Sequence, residues 1–193
     1  AIDHVMVPGG DPGDTEPQDL MPWLAEMVQV LRKHFPEAGL WVSNQGFTDE
    51  QNEVFFGYLQ EQQPEWLTGV ILGPWTQITL KEMRERTPER YPIRRYPDIT
   101  HSVRCQYPVP DWDRAFSQLM NRECPNPRPL GTSHIHNLFA PLAAGFVSYS
   151  DGCHDDLNKM IWTALAWNPD ADVKEIVREY GRAFFGDAYA DDV

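Results

Sequence analysis

Short apolar runs alternate with helix-length apolar patterns along this chain, and that alternation restricts it to a parallel α/β fold. The runs are Ile2–Val7, Gly39–Ser43, Leu67–Leu72, Ile93–Thr100 and Ala144–Tyr149, with Pro97 breaking the fourth. Between them, apolar residues recur at helical spacing. Leu20, Trp23, Leu24, Met27, Val28 and Leu31 fall at i, i+3, i+4, i+7, i+8 and i+11, which predicts an amphipathic helix closed by His34-Phe35-Pro36. A second helix is expected over Asp49–Gln62, with Val54, Phe55, Tyr58 and Leu59 on one side, and a short third over Leu80–Arg86. Pro110-Asp111 opens a fourth, carrying Trp112, Phe116, Leu119 and Met120. After the last run, Asp155 or Asp156 caps a helix bearing Leu157, Met160, Ile161, Ala164 and Leu165. A final helix carries Val173, Ile176, Val177, Tyr180 and Phe184 and ends at Gly186. Strands separated by whole helices pair as parallel neighbours through crossover connections.

Five strands in 193 residues fit two architectures. One is a complete doubly wound open sheet. The other is the C-terminal part of a TIM-type (β/α)8 barrel, which as a whole takes about 250 residues. The chain enters its first apolar run directly through Ala1-Ile2-Asp3-His4-Val5, with no signal peptide. This reads as an internal start and favours the barrel. The expectation is therefore an α/β chain forming a partial TIM-type barrel of about five parallel strands. Residues 1–193 would make one domain, and the earlier barrel strands would lie upstream.

Charge narrows the partners. The chain has 29 acidic and 16 basic residues, a formal net charge of −13. Such a surface repels a phosphate backbone and an anionic membrane, so neither nucleic acid nor membrane is an expected partner. No apolar stretch approaches the ~18 residues of a membrane span. Cys105, Cys124 and Cys153 are odd in number and form no C-x-x-C, which leaves redox compartment and localisation open.

Either architecture binds ligands at the C-terminal ends of its strands. Gly9, Gly10, Asp11, Asp14 and Glu16 follow the first run, Ser43, Asn44 and Gln45 the second, and Gly73, Pro74 and Trp75 the third. The fourth carries Tyr96, Asp98, Thr100 and His101, and the last is followed by Ser150, Asp151 and His154 after Tyr149. Carboxylates, amides and aromatic faces without a basic cluster suit a sugar, whose C–H faces stack on rings and whose hydroxyls need polar partners. A phosphorylated ligand would call for Arg, Lys or a glycine nest. Asp11, Asp14 and Asp151 are the candidate catalytic carboxylates. Asn44, Gln45, Trp75, Asp98, His101 and Tyr149 are the candidate substrate contacts. Each also has a plainer role: Gly9-Gly10 and Asp14 in a turn, Asn44 and Gln45 satisfying a loop, Trp75 as wall. His134-x-His136 lacks a third ligand at a recognisable spacing and reads as a loop pair, so neither metal nor cofactor is expected. Arg94-Arg95 is expected to pair with surplus carboxylates.

Pro8-Gly9-Gly10-Asp11 at a strand end resembles the motif of family 20 glycoside hydrolases, the β-N-acetylhexosaminidases, where Gly-Gly-Asp-Glu stands on a (β/α)8 barrel. Gly145-Phe146-Val147-Ser148-Tyr149-Ser150-Asp151-Gly152, with Asn158-Lys159 and Trp162, is similar to the last barrel strand and helix of glycosidase-like proteins of the hexosaminidase and α-glucuronidase group. Tyr91-Pro92-Ile93-Arg94-Arg95-Tyr96-Pro97-Asp98-Ile99-Thr100-His101 resembles the same group. The resemblance implies a barrel acting on a carbohydrate by hydrolysis of an O-glycosyl bond. In the family the Asp orients the substrate acetamido group, which is the nucleophile, and the following Glu is the general acid. Asp11 matches the Asp, but Pro12 stands at the Glu position, and a prolyl ring donates no proton. An acid would then come from Asp14, Glu16, Asp98 or Asp151. Two carboxyls about 5–5.5 Å apart would retain the anomeric configuration, and ~6.5–9.5 Å would invert it. A non-catalytic carbohydrate-binding barrel, or a small doubly wound domain of unrelated function, are the alternatives. The expected partners are a carbohydrate and either the upstream part of the barrel or a second copy of the chain.

Overall fold

The computed structural model describes residues 1–11, 13–100, 127–150 and 155–193. The chain divides into two units: Ala1–Tyr96 with Leu142–Ala144, and Pro97–Pro141 with Gly145–Val193. The first is built on four strands, β1 (His4–Val7), β2 (Gly39–Ser43), β3 (Leu67–Leu72) and β4 (Ile93–Arg95). They lie in the order β1-β2-β3-β4, and every neighbouring pair is parallel. The order never reverses within this sheet. All three crossovers therefore advance in one direction, and right-handed connections then place their helices on one face.

Those helices are α1 (Pro17–His34), α2 (Asp49–Gln62) and α3 (Leu80–Arg86). Pro17 starts α1, where its missing N–H costs nothing. The helix buries Leu20, Met21, Leu24 and Val28, a narrow i, i+4, i+8 stripe with one flanking residue, and leaves the predicted face residues Trp23 and Met27 exposed. A capping box between Thr48 and Gln51 starts α2, which turns Phe55, Phe56 and Leu59 inward and packs against α1.

Register explains one tight spot in the sheet. Met6 lies beside Trp41, and Trp41 beside Gly69. A Cβ at Gly69 would lie 2.3 Å from the Trp41 ring, so only glycine lets the indole lie across β3. The Trp41 Nε1–H donates to His4 Nδ1 (3.3 Å), and the Arg94 guanidinium sits 3.9 Å over the ring centroid. Arg94 was expected to pair with a carboxylate. It stacks on an aromatic face instead, a cation–π contact for which its planar group is well suited. The same burial lowers its pKa from the ordinary arginine value.

The parallel sheet has four strands, not the expected five. The fourth apolar run splits at the buried Pro97, which has no N–H to give a ladder. Before it, Tyr96 N–H still donates to Leu72 O of β3 (2.8 Å). After it, β5 (Asp98–Thr100) leaves the sheet and pairs in parallel with β6 (Tyr149–Ser150) in a separate two-stranded ladder. The fifth run, Ala144–Tyr149, reaches that ladder only at its last residue. Gly145, at φ +129°, breaks extended backbone just after Ala144 has donated to Ile93 O (2.7 Å).

The second unit also contains α4 (Pro129–Phe139), α5 (Asp156–Trp167) and α6 (Val173–Phe185). Leu157, Ile161 and Leu165 of α5 pack with Ile176 of α6, as their spacing predicts, and Gly186 at φ +98° ends α6. Helix α4 covers a stretch read from sequence as loop. Its buried residues are Thr132 and His136, so no apolar periodicity marks it. The helix expected from Pro110-Asp111 lies outside the described residues. Among the described residues no helix is long and apolar enough to cross a membrane.

Candidate functional site

The C-terminal ends of β1, β2 and β3 meet through glycines. Gly9, at φ +79°, runs so close to β2 that a Cβ there would lie 2.1 Å from Ser43 O. A Cβ at Gly10 would lie 2.9 Å from the Phe47 ring, and the Gly10 N–H donates to Gln45 O (3.0 Å). This interlock leaves Asp11 exposed at the rim while its Oδ2 accepts from Gln45 Nε2 (2.8 Å). The two residues come from different strand ends, 34 positions apart. Pro12 has no N–H, and among the described residues no amide of Asp11's own turn bonds its carboxylate.

Gln45 is the buried member of the pair, 6% exposed. Its backbone N–H donates to Ser43 Oγ (3.1 Å), and a Cβ at Gly73 of the β3 end would lie 3.0 Å from its Oε1. Among the described residues that Oε1 has no hydrogen-bond partner. Asn44, its neighbour, is fully buried and donates through Nδ2 to Asn52 Oδ1 (2.7 Å), while Asn52 donates to Thr48 O (2.9 Å). Asn44 thus ties the end of β2 to the start of α2. Asp14 is exposed, takes a left-handed φ of +46°, and donates its N–H to Gly10 O (3.3 Å). An aspartate tolerates that conformation better than most residues, which suits the turn. Trp75 is half-buried after β3 at φ +60°, a conformation strained for so bulky a residue. Thr76 Oγ1 holds this turn by donating to Gly73 O (2.7 Å).

Of the remaining candidates, Asp98 and Tyr149 stand opposite each other in the β5–β6 ladder of the second unit. His101 and Asp151 lie outside the described residues. The structure therefore joins Asp11 to Gln45, places Trp75 at the next strand end, sets Asn44 into the β2–α2 junction, and holds Asp98 with Tyr149 in the other unit.

A second polar cluster was not anticipated. Asn158 Oδ1 accepts from Arg128 N (2.9 Å) and Thr132 Oγ1 (3.0 Å), and its Nδ2 donates to Asp155 Oδ1 (3.0 Å). Asp155 stands at the N-cap of α5, but its side chain makes no capping bond. The signal available in the sequence was one polar residue, Asn158, beside the apolar stripe of a predicted helix. His136 is buried alongside, its ring edge-on to Trp162 at 5.3 Å between centroids. His134 is exposed. Two positions along a helix turn the side chains about 200° apart, so these histidines cannot share an ion. Among the described residues no group of three His, Cys, Asp or Glu could hold a metal.

Compared with protein-family models, curated proteins and solved structures, the chain has no match. Its chemistry is read from the site itself: an exposed rim carboxylate with one oxygen held by a buried amide.

Proposed function

We propose that this chain is part of a glycoside hydrolase-like (β/α) barrel and takes a carbohydrate at the C-terminal ends of its strands, with O-glycosyl hydrolysis as the reaction. The observation that carries the reading is the Asp11–Gln45 pair at the ends of β1 and β2. The sequential parallel order β1-β2-β3-β4 supports a barrel over a doubly wound sheet, whose order would reverse. Asp11 at a rim is suited to accept from a sugar hydroxyl or amide N–H, and the half-buried Trp75 offers an apolar face nearby in strand order. Asp14, in the same turn, and Asp151 are the candidates for the missing acid.

A second reading, a sugar-binding barrel without turnover, is favoured by Pro12 at the position where the family has its acid. Calorimetry with N-acetylglucosamine and glucuronic acid, together with aryl N-acetylglucosaminide and glucuronide turnover, tests both. Hydrolysis requires release of the aryl group and a rate about 10²-fold lower in Asp11→Asn, as expected when an electrostatic contact of the transition state is removed. Binding without release selects the second reading. Failure of both sugars to bind or turn over removes the proposal.

A further inference from the structure

We propose that Gln45 is the positioning residue of this site: it holds Asp11 as an ionised acceptor turned toward the ligand, and does not itself touch the ligand. The inference rests on the carbohydrate reading above only for what the ligand is. Three observations carry it. Gln45 is buried where three strand ends meet: its backbone N–H donates to Ser43 Oγ of β2, its backbone carbonyl accepts from the Gly10 N–H after β1, and its side chain lies against Gly73 after β3. Its sole side-chain hydrogen bond among the described residues goes to Asp11 Oδ2, at 2.8 Å. Its Oε1 is buried and has no donor among the described residues.

The orientation of the amide follows from charge. A carboxylate only accepts, so the amide must present its NH2 group to Asp11, even though this leaves the carbonyl oxygen where no described residue donates to it. A protonated Asp11 would reverse the preference: its O–H could donate to the amide oxygen, and the amide would gain by rotating. The amide therefore responds to the charge on Asp11. Ser43, Gly73 and Gly10, which pack on Gln45, carry no charge, and Asp14 is the other described titratable group of the Asp11 turn. One carboxylate oxygen is fixed by Gln45, so the second is pre-set for a ligand O–H or N–H without an ordering cost at binding.

NMR on the whole chain tests this without any sugar. In the wild-type protein, the Gln45 side-chain NH2 resonances should shift with pH at the same midpoint as the Asp11 carboxyl carbon, and should stop doing so in Asp11→Asn. In Gln45→Glu the amide donor is lost and a second carboxyl group stands against Asp11. That variant should bind N-acetylglucosamine at least tenfold more weakly than wild type at pH 8. It should recover much of the loss near pH 5, where the introduced carboxyl is protonated and donates. Gln45→Met, which fills the space without donating, should bind weakly at both pH values. Gln45 NH2 resonances that ignore the Asp11 titration in the wild-type chain overturn the proposal, whether or not the variants fold. If the resonances follow Asp11 but the wild-type chain binds no sugar, the positioning role stands and the carbohydrate reading fails.

Discussion

Each unit of the molecule contains a carboxylate held by a side-chain amide, and the two pairs are built in opposite senses. At the strand ends the amide, Gln45, is buried and the carboxylate, Asp11, is exposed. At the α4–α5 junction both members are buried, Asp155 at 3% exposure and Asn158 at 4%, and Asn158 also satisfies Arg128 N and Thr132 Oγ1. A buried carboxylate has to be fully partnered by its own protein, so Asp155 serves the fold. A carboxylate at the rim needs only one protein donor, because water or a ligand can satisfy the rest. The residue type is the same in both places, and burial decides which pair is structural and which can act.

The largest test of this contrast is at the backbone beneath Asp11. Gly9→Ala combines a left-handed φ with a Cβ placed 2.1 Å from Ser43 O, and should destabilise the chain by about 3 kcal/mol or more. Gly186→Ala in the second unit, also at positive φ but with nothing within 4 Å of the new Cβ, should cost about 1 kcal/mol. Urea midpoints for the two variants check this. If they are equal, the strand-end interlock is not what constrains Gly9.

Next in size is Asn158→Ala, which takes one hydrogen-bond partner from the Asp155 carboxylate, the Thr132 hydroxyl and the Arg128 amide together. A loss of about 2–3 kcal/mol is expected in denaturant melts. A loss under ~0.5 kcal/mol would mean that the buried pair is no more structural than the exposed one.

The first unit has its own buried polar group in Tyr91, whose hydroxyl donates to Pro64 O (2.9 Å). Desolvation raises its pKa above the ordinary tyrosine value. The neutral form is therefore favoured by folding. Its contribution is complete below the unfolded tyrosine pKa of about 10 and is lost as pH rises through the higher folded value. Tyr91→Phe should cost about 1 kcal/mol at pH 7 and flatten the alkaline fall in stability, as read by melts between pH 8 and 11.

The smallest effect is expected at Asp11 itself. Asp11→Asn should change stability by no more than about 1 kcal/mol while weakening sugar binding or turnover. A larger loss in a thermal melt would place Asp11 with Asp155 as a structural carboxylate and remove the contrast.

Much of the first unit is legible in the sequence. Gly39–Ser43, Asp49–Gln62, Leu67–Leu72 and Leu80–Arg86 form elements with the bounds their patterns predict. Their periods of about 2 and 3.6, with Thr48 and Thr79 as caps, are properties of adjacent residues. The position of Asp11 at a strand end follows from the same local signals. Other features depend on contacts between distant parts of the chain. Ile93–Thr100 reads as one run, and only the ladders available to either side of Pro97 decide that it serves two sheets. Trp23 and Met27 fit the apolar stripe of α1, yet the packing surface is narrower than the stripe. Helix α4 hides behind a polar buried face, whose partner Asn158 is more than twenty residues away. Asn44 and Gln45 look interchangeable in sequence. Successive side chains leaving a strand diverge, so one turns to Asn52 of α2 and the other to Asp11 beyond β1. Local periodicity determines what elements the chain can form, whereas the pairing of Asp11 with Gln45 exists only once β1 and β2 lie side by side.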